Sequence, residues 1–324
     1  MKEILDLNNG WHEAVIMVSE LDRIAKDLEI VGNWQVIEEG LVNRGQLNLW
    51  DLTNDVTGDY KLIRNPNSHK GFVRLVKLHN QQQKQIRPAG QIWETGGIFD
   101  LNFRVTNIDE KFEKLLNRGW IAFNQPAQYE FGPVIVSEVL MIGPDGVCFA
   151  LIERLEPPLE KVENPNEISR SFNSSLLVAD IEKSFKFFSE TLGFETVMEL
   201  IGHKLDTGSN VLGLPHNIAQ EHAMDVCIIH PKAVADGSVE LMSLNSLKGR
   251  NFSKNAKPFN LGITSLRFPI DDVNKKATEL KSKGIALVYG PTTIELAPYG
   301  DVIIFALELP EGGWIEFFEP LNNI

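Results

Sequence analysis

Residues 176–193 read LLVADIEKSFKFFSETLG: an apolar run, an acidic residue, a short helical pattern and a closing glycine. Asp180 can accept hydrogen bonds from the free amides of a helix start, and Gly193 permits the left-handed conformation that ends a helix. Between them Ile181, Phe185, Phe188 and Leu192 recur at helical spacing, so one face of that helix is expected to pack on a sheet. The arrangement returns three times, in Val15 to Gly32 (VIMVSELDRIAKDLEIVG), Leu101 to Gly119 (LNFRVTNIDEKFEKLLNRG) and Leu266 to Gly284 (LRFPIDDVNKKATELKSKG), with Ser19, Thr106 and Asp271 as the expected caps. Twelve positions separate Glu20 from Gly32, Asn107 from Gly119 and Asp272 from Gly284, and thirteen separate Asp180 from Gly193. A repeated unit is the first fact the fold must satisfy.

After each glycine the pattern changes to strands. The second unit continues through WIAFNQ, VIVSEVLMIG and VCFALIE, the third through TVMELIG, MDVCIIHP and SVELMSL, and the fourth through IALVYGP, DVIIFALEL and WIEFFEP. Each is a β-α-β-β-β module too small to bury both faces of its own sheet, so modules must pair. Residues 154–171 (RLEPPLEKVENPNEISRS) are Pro-rich and charged, the composition of a surface linker. The expected division is therefore 1–153 for modules 1 and 2, 154–171 for the linker, and 172–324 for modules 3 and 4. The Gln- and Lys-rich stretch Asn80 to Arg87, with RPAGQIWETGG after it, reads as a solvated loop joining modules 1 and 2.

Composition narrows the function classes. The 324 residues are 43% hydrophobic and 23% charged, as in globular proteins. A formal charge of −13 would repel a polyphosphate backbone, which argues against nucleic acid as partner. The sequence has no signal-peptide core and no apolar stretch long enough to span a bilayer, so a cytoplasmic protein without membrane contact is expected. Cys148 and Cys227 each lie in an apolar strand-like run, where inert thiols are the rule. Neither a Walker loop nor a dinucleotide fingerprint occurs, so no nucleotide cofactor is expected.

Four β-α-β-β-β modules over nearly the whole chain resemble the vicinal oxygen chelate superfamily, which contains glyoxalases, extradiol dioxygenases, epimerases and antibiotic-sequestering proteins. VADIEKSFKFFSETLGF at 178–194, SVELMSL at 238–244, LRFPIDDV at 266–273 and PEGGWIEFFEP at 310–320 carry the resemblance. It implies an α+β fold of two glyoxalase-like domains with curved mixed sheets forming cups. It also implies a divalent metal (Mg, Mn or similar) held in a cup by one residue on the first strand and one on a late strand of each paired module. The reaction is not fixed by the fold, since one scaffold hosts many chemistries.

Stepping back seven residues from each helix start gives the first-strand positions, and the late strands are read from their own motifs. In the second domain these are Asn173, Ser265, Glu240 and Glu316, with carboxylates where the family's late-strand ligand falls. Glu240 and Glu316 would hold a hard cation together with oxygen donors, or hydrogen-bond inside the cup without one. In the first domain they are Glu13, Asp100, Arg74 and Ala150; a guanidinium is incompatible with a divalent ion and is expected to bridge the two carboxylates. His12, one step out of register, turns to the opposite face.

Further candidates are the insertion GHKLDTGSNVLGLPHNIAQEHAMD, whose His203, His216 and His222 read as either a substrate lid or a solvated loop, and Tyr289 and Tyr299 beside GPTTIELAPYGD. The expected function is proton abstraction next to a carbonyl of a small oxygenated substrate by an isomerase, epimerase or lyase. Glu316, Glu240 and Tyr299 would be catalytic, and Asn173 and Ser265 would orient substrate oxygens. A non-catalytic sequestering protein and an extradiol dioxygenase are the alternatives. With two internal pairs, a monomer or homodimer is expected.

Overall fold

The computed structural model describes residues 5–159, 167–206, 208–244 and 246–321. Module 1 comprises β1 (Glu13–Met17), α1 (Leu21–Gly32), β2 (Gln35–Leu41), α2 (Arg44–Leu49), β3 (Thr57–Arg64) and β4 (Phe72–His79). Module 2 comprises β5 (Ile98–Val105), α3 (Ile108–Asn117), β6 (Ile121–Ala122), β7 (Ala127–Phe131), β8 (Val134–Ile142) and β9 (Cys148–Glu156). In module 3, β10 (Ile168–Leu177) and α4 (Ile181–Lys186) precede β11 (Glu195–Lys204), α5 (His216–Glu221), β12 (Ala223–His230) and β13 (Ser238–Ser243). Module 4 is β14 (Gly262–Pro269), α6 (Val273–Ser282), β15 (Tyr289–Glu295), β16 (Asp301–Glu308) and β17 (Trp314–Pro320).

The helix boundaries follow local chemistry, with corrections. Asp180 caps α4 as expected, accepting from the Lys183 amide at 3.0 Å. Asp272, not Asp271, caps α6 through the Lys275 amide. Ser19 instead donates to Asp145, and the start of α3 is held by Glu153, whose carboxylate accepts from the amides of Asn107 and Ile108. Gly119, Gly193 and Gly284 are left-handed, whereas Gly32 is the last helical residue of α1 and Asn33 takes the left-handed turn.

The modules do not pair along the chain. One sheet runs β15-β16-β17-β14-β1-β4-β3-β2 and joins modules 1 and 4; the other runs β11-β12-β13-β10-β5-β9-β8-β6 and joins modules 2 and 3. Both seams are antiparallel, β1 on β14 and β5 on β10, while the first and last strands of every module are parallel neighbours. The expected pairing of 1 with 2 and 3 with 4 is therefore overturned, and neither half of the chain closes a cup alone. The expected linker 154–171 overlaps the ends of β9 and β10, and its residues 160–166 lie outside the described residues; its polar sequence does not say which edge the next strand joins, and β10 returns beside β5. The links between modules 1 and 2 and between 3 and 4 then run side by side, bridged at Gln85–Leu261 and Thr95–Asn251. The stretch 80–97 is accordingly no solvated loop throughout: Ile86, Arg87, Ile92 and Glu94 are buried.

One large core lies between the convex faces of both sheets and the helices, joining Ile16 and Leu75 to Phe103, Phe149, Leu176 and Phe268. Smaller apolar clusters line each concave face. Burial of these faces on one another supplies the main driving force for folding. No helix among the described residues is long and apolar enough to cross a membrane.

Candidate functional site: two unlike cups

The cup of modules 1 and 4 is filled by ion pairs. Arg74 forks onto Glu13, Nε to Oε1 at 2.6 Å and Nη2 to Oε2 at 3.0 Å. Arg267 joins Glu13 to Glu316 through Nη1 at 2.6 Å and Nε at 2.5 Å. Tyr299 donates its hydroxyl to Glu13 at 2.9 Å, and Arg74 lies over the Tyr60 ring. All four charged side chains are buried, so each charge depends on its partner. Burial opposes ionisation of Glu13, yet the Arg74 and Arg267 guanidinium groups outweigh it and hold the carboxyl down at about 2. Beside this cluster His12 packs edge-on against Phe72, and burial lowers it to about 4, leaving a neutral ring.

The cup of modules 2 and 3 holds the opposite arrangement, acids without a matching set of cations. Asp100, Glu138, Glu240, Tyr129, Ser175 and Asn102 surround an enclosed cavity of about 70 Å³. Asp100 accepts from the Ser175 amide at 3.1 Å, and Tyr129 donates its hydroxyl to Glu138. Asn102 donates to Asn173 at 3.0 Å and to Ser175 at 3.1 Å. Burial raises Asp100 to about 7, and it raises Glu138 to about 7 with help from the Asp100 charge. Glu240 is pushed well above the carboxylate range by burial and then by Asp100 and Glu138. Burial and Glu138 likewise keep the Tyr129 phenol protonated.

A neighbouring cavity of about 470 Å³, called the antechamber for its position, shares Tyr129 and Val211 with the inner one as lining and includes His203, Lys204, Asp206 and Asn210. Val211 and Leu212, from the insertion after β11, close the inner cavity.

A family model described as the Glyoxalase/Bleomycin resistance protein/Dioxygenase superfamily matches residues 171–317. Similar solved structures span the whole chain. A point mutant of glyoxalase I from Zea mays is 14% identical over 97% of this chain and 94% of its own, with a TM-score of 0.64. Residues 171–317 thus carry the match to this superfamily, and the chain as a whole shares the fold of the glyoxalase I structures. A structure of glyoxalase I from Zea mays without that mutation aligns at a TM-score of 0.62 and 14% identity, covering 96% and 92% of the two chains. A protein described as a putative dioxygenase from Bacillus subtilis aligns at 0.57 and 12% identity, covering 98% and 87%. No curated protein matches the chain by sequence.

Within this vicinal oxygen chelate fold the positions read from sequence divide between the cups. Glu240 stands on β13 and Glu316 on β17, in different sheets, so the expected convergence of these two acids is overturned. Tyr299 serves the ion-pair cup through Glu13. The expected Glu13–Arg74 pairing is present, but Asp100 lies in the other cup and Arg267 takes its place. Asn173 is held between Asn102 and Ser238, and Ser265 faces Val15 and Trp314 in register; neither lines the acid cavity.

The cause is one of counting. Glu13 and Asp100 lie seven residues before Glu20 and Asn107, but Ser175 and Arg267 lie five before Asp180 and Asp272. The strand-to-helix connection is two residues shorter in modules 3 and 4. The registers confirm the equivalence: Glu13 opposes Arg267, Asp100 opposes Ser175, and Glu240 and Glu316 stand beside Ser175 and Arg267.

Of the insertion histidines, His203 lines the antechamber, His216 opens α5 on the exposed side, and His222 bonds Ser246. Sequence reasoning missed Glu138 and Tyr129. Glu138 could have been found as the lone carboxylate within the apolar strand VIVSEVLMIG.

The family's divalent metal does not fit the side chains present. Two of the four positions in the ion-pair cup are guanidinium groups, and in the acid cup the set is Asp100, Ala150, Ser175 and Glu240. Among the described residues no three His, Cys, Asp or Glu side chains come together as a metal-ligand group.

Proposed function

We propose that the protein is an enzyme of the isomerase, epimerase or lyase kind that moves a proton at a carbon next to a carbonyl, and that it works in the cup of modules 2 and 3. The reading rests on one observation: three carboxyl groups of raised proton affinity and a phenol surround one enclosed cavity. A base works best when its pKa lies near the working pH, and Glu138 lies there, with its carboxylate oriented by Tyr129. Glu240, pushed toward its neutral form by burial and the neighbouring acids, can in that form donate a hydrogen bond to the oxygen on which enolate charge gathers, the task an oxyanion hole performs. Asp100, tied to the Ser175 amide, keeps that neutral form favoured. The antechamber is of a size for small-molecule ligands and the inner cavity is not, so the substrate body occupies the former and its reacting end passes Tyr129 and Val211.

The smallness of the inner cavity favours the second reading, a non-catalytic small-molecule binder that uses the antechamber alone. A ring-cleaving dioxygenase would require a redox-metal ligand set that neither cup presents.

The test is solvent-deuterium exchange into a panel of small hydroxyketones and 2-oxo acids, followed by NMR. The enzyme reading predicts exchange into at least one compound, a fall on the order of 100-fold in Glu138→Gln, and wild-type exchange in Tyr299→Phe from the other cup. Panel members that stabilise the protein thermally without any exchange would make it a binder.

A further inference from the structure

Away from the acid cavity, the first turn of the link between modules 1 and 2 buries Arg87, which is 8% exposed. Its guanidinium clips that link: Nη1 donates to the Gly96 carbonyl at 2.8 Å, and Nη2 donates to those of Gln91 at 3.1 Å and Glu94 at 2.6 Å. Phe99 and Phe252 lie against it at 5.3 and 5.2 Å. These contacts use three of the five donors of the fork. Among the described residues no carboxylate forms an ion pair with it; Glu94, the nearest in sequence, is forked by Arg250 instead. Burying a charge without a counter-charge is costly, and carbonyl dipoles offset it only in part. Burial accordingly lowers Arg87 to about 10.

The unpaired cation borders a cavity of about 390 Å³ with walls that include Phe99, Phe123, Ile142 and Cys148. This cavity shares no lining residue with the acid cavity or its antechamber. The other charged group on its wall, Asp145, already accepts from both the amide and the hydroxyl of Ser19.

The geometry points to a second ligand site here, for a small aromatic monocarboxylate whose carboxylate meets one of the two Arg87 N–H donors left without a carbonyl and whose ring lies against Phe99 and Phe123. A carboxylate would set a negative charge in contact with the guanidinium, which Glu94 and Asp100 attract only from beyond ion-pair distance, while the apolar wall favours an aryl body over a hydrated inorganic anion. The inference concerns binding in a cavity with its own lining and does not rest on the proton-transfer reading, even though Arg87 and Asp100 attract each other.

Titration of the full-length protein with benzoate, benzamide and inorganic phosphate, followed by calorimetry and by methyl resonances of isoleucine, tests it. Expected are one benzoate per chain, shifts centred on Ile121 and Ile142, and at least tenfold weaker binding of benzamide and of phosphate. Arg87→Met should remove benzoate binding. Should that variant fail to fold, the benzoate–benzamide comparison on the wild-type protein still decides. Equal binding of benzamide, preference for phosphate, shifts centred instead on Ile135 of the antechamber, or no binding at all would overturn the assignment.

Discussion

Arg267 stands directly opposite Glu13 across the seam of β1 and β14, and its guanidinium reaches both Glu13 and Glu316. One side chain from module 4 thereby neutralises carboxylates from two modules, at positions where the superfamily commonly places metal ligands. The cation in this cup is covalently part of the chain. That relationship leaves the cup of modules 1 and 4 filled by ion pairs and the cup of modules 2 and 3 with the carboxyl groups of raised proton affinity.

Removing the guanidinium should be severe. Arg267→Met leaves the buried Glu316 carboxylate without its cation, while Glu13 keeps the Arg74 fork, and breaking a buried pair on one side costs about 3–5 kcal/mol. The urea midpoint should fall accordingly, whereas Lys186→Met, on an exposed ion pair with Glu182, should change it by less than about 0.5 kcal/mol. Equal midpoints would show that the cluster carries no stability.

Because each sheet takes one module from either half of the chain, fragments 1–159 and 160–324 should not fold into cups separately. Co-expression should give a one-to-one complex that unfolds cooperatively, and size exclusion with circular dichroism reads the outcome. Two independently stable, native-like halves would contradict the observed seams.

Stability should also carry the mark of the two cups in its pH dependence. Asp100 and Glu138 are raised in the folded state to about 7, so the folded state binds their protons more tightly than the unfolded chain does. Their contribution is full below the unfolded values of 3.8 and 4.5 and is lost as the pH rises through about 7. Glu240 acts in the same direction. Glu13, lowered to about 2, does the reverse: its contribution is present above 4.5 and is lost as the pH falls toward 2. Thermal unfolding should therefore be most resistant at about the unfolded carboxyl values and weaken as the pH rises from there to about 7. Asp100→Asn should flatten that fall toward neutral pH by on the order of 2–4 kcal/mol.

The modules were legible because each is written in local code: strand, polar step, amphipathic helix and left-handed residue, with an acidic cap in modules 3 and 4. Asp180 and Gly193 do in the structure what the sequence says they can do. Module pairing was not legible, because it depends on which sheet edge β10 joins, and nothing in residues 157–167 encodes that choice. The site was legible in part. Glu13 and Arg74 were found because the strand-to-helix connection has its longer form in module 1. Ser175 and Arg267 were lost to a two-residue difference in that connection, a shift that keeps the same sheet face and so leaves the alternation pattern unchanged. Charge offered a clue: Arg267 in the apolar run LRFPI needs a buried acid, and Glu13 and Glu316 are the acids that need it.

The most direct measurement is an NMR titration of the side-chain carboxyl carbons, assigned through Asp100→Asn, Glu138→Gln and Glu13→Gln. Two carboxyl groups, Asp100 and Glu138, should titrate near pH 7, while Glu13 stays ionised down to about pH 2. Should Asp100 and Glu138 both titrate between about 3 and 5, as unperturbed carboxyls do, the acid cup would hold no base or acid poised for proton transfer, and the proposed site would be wrong.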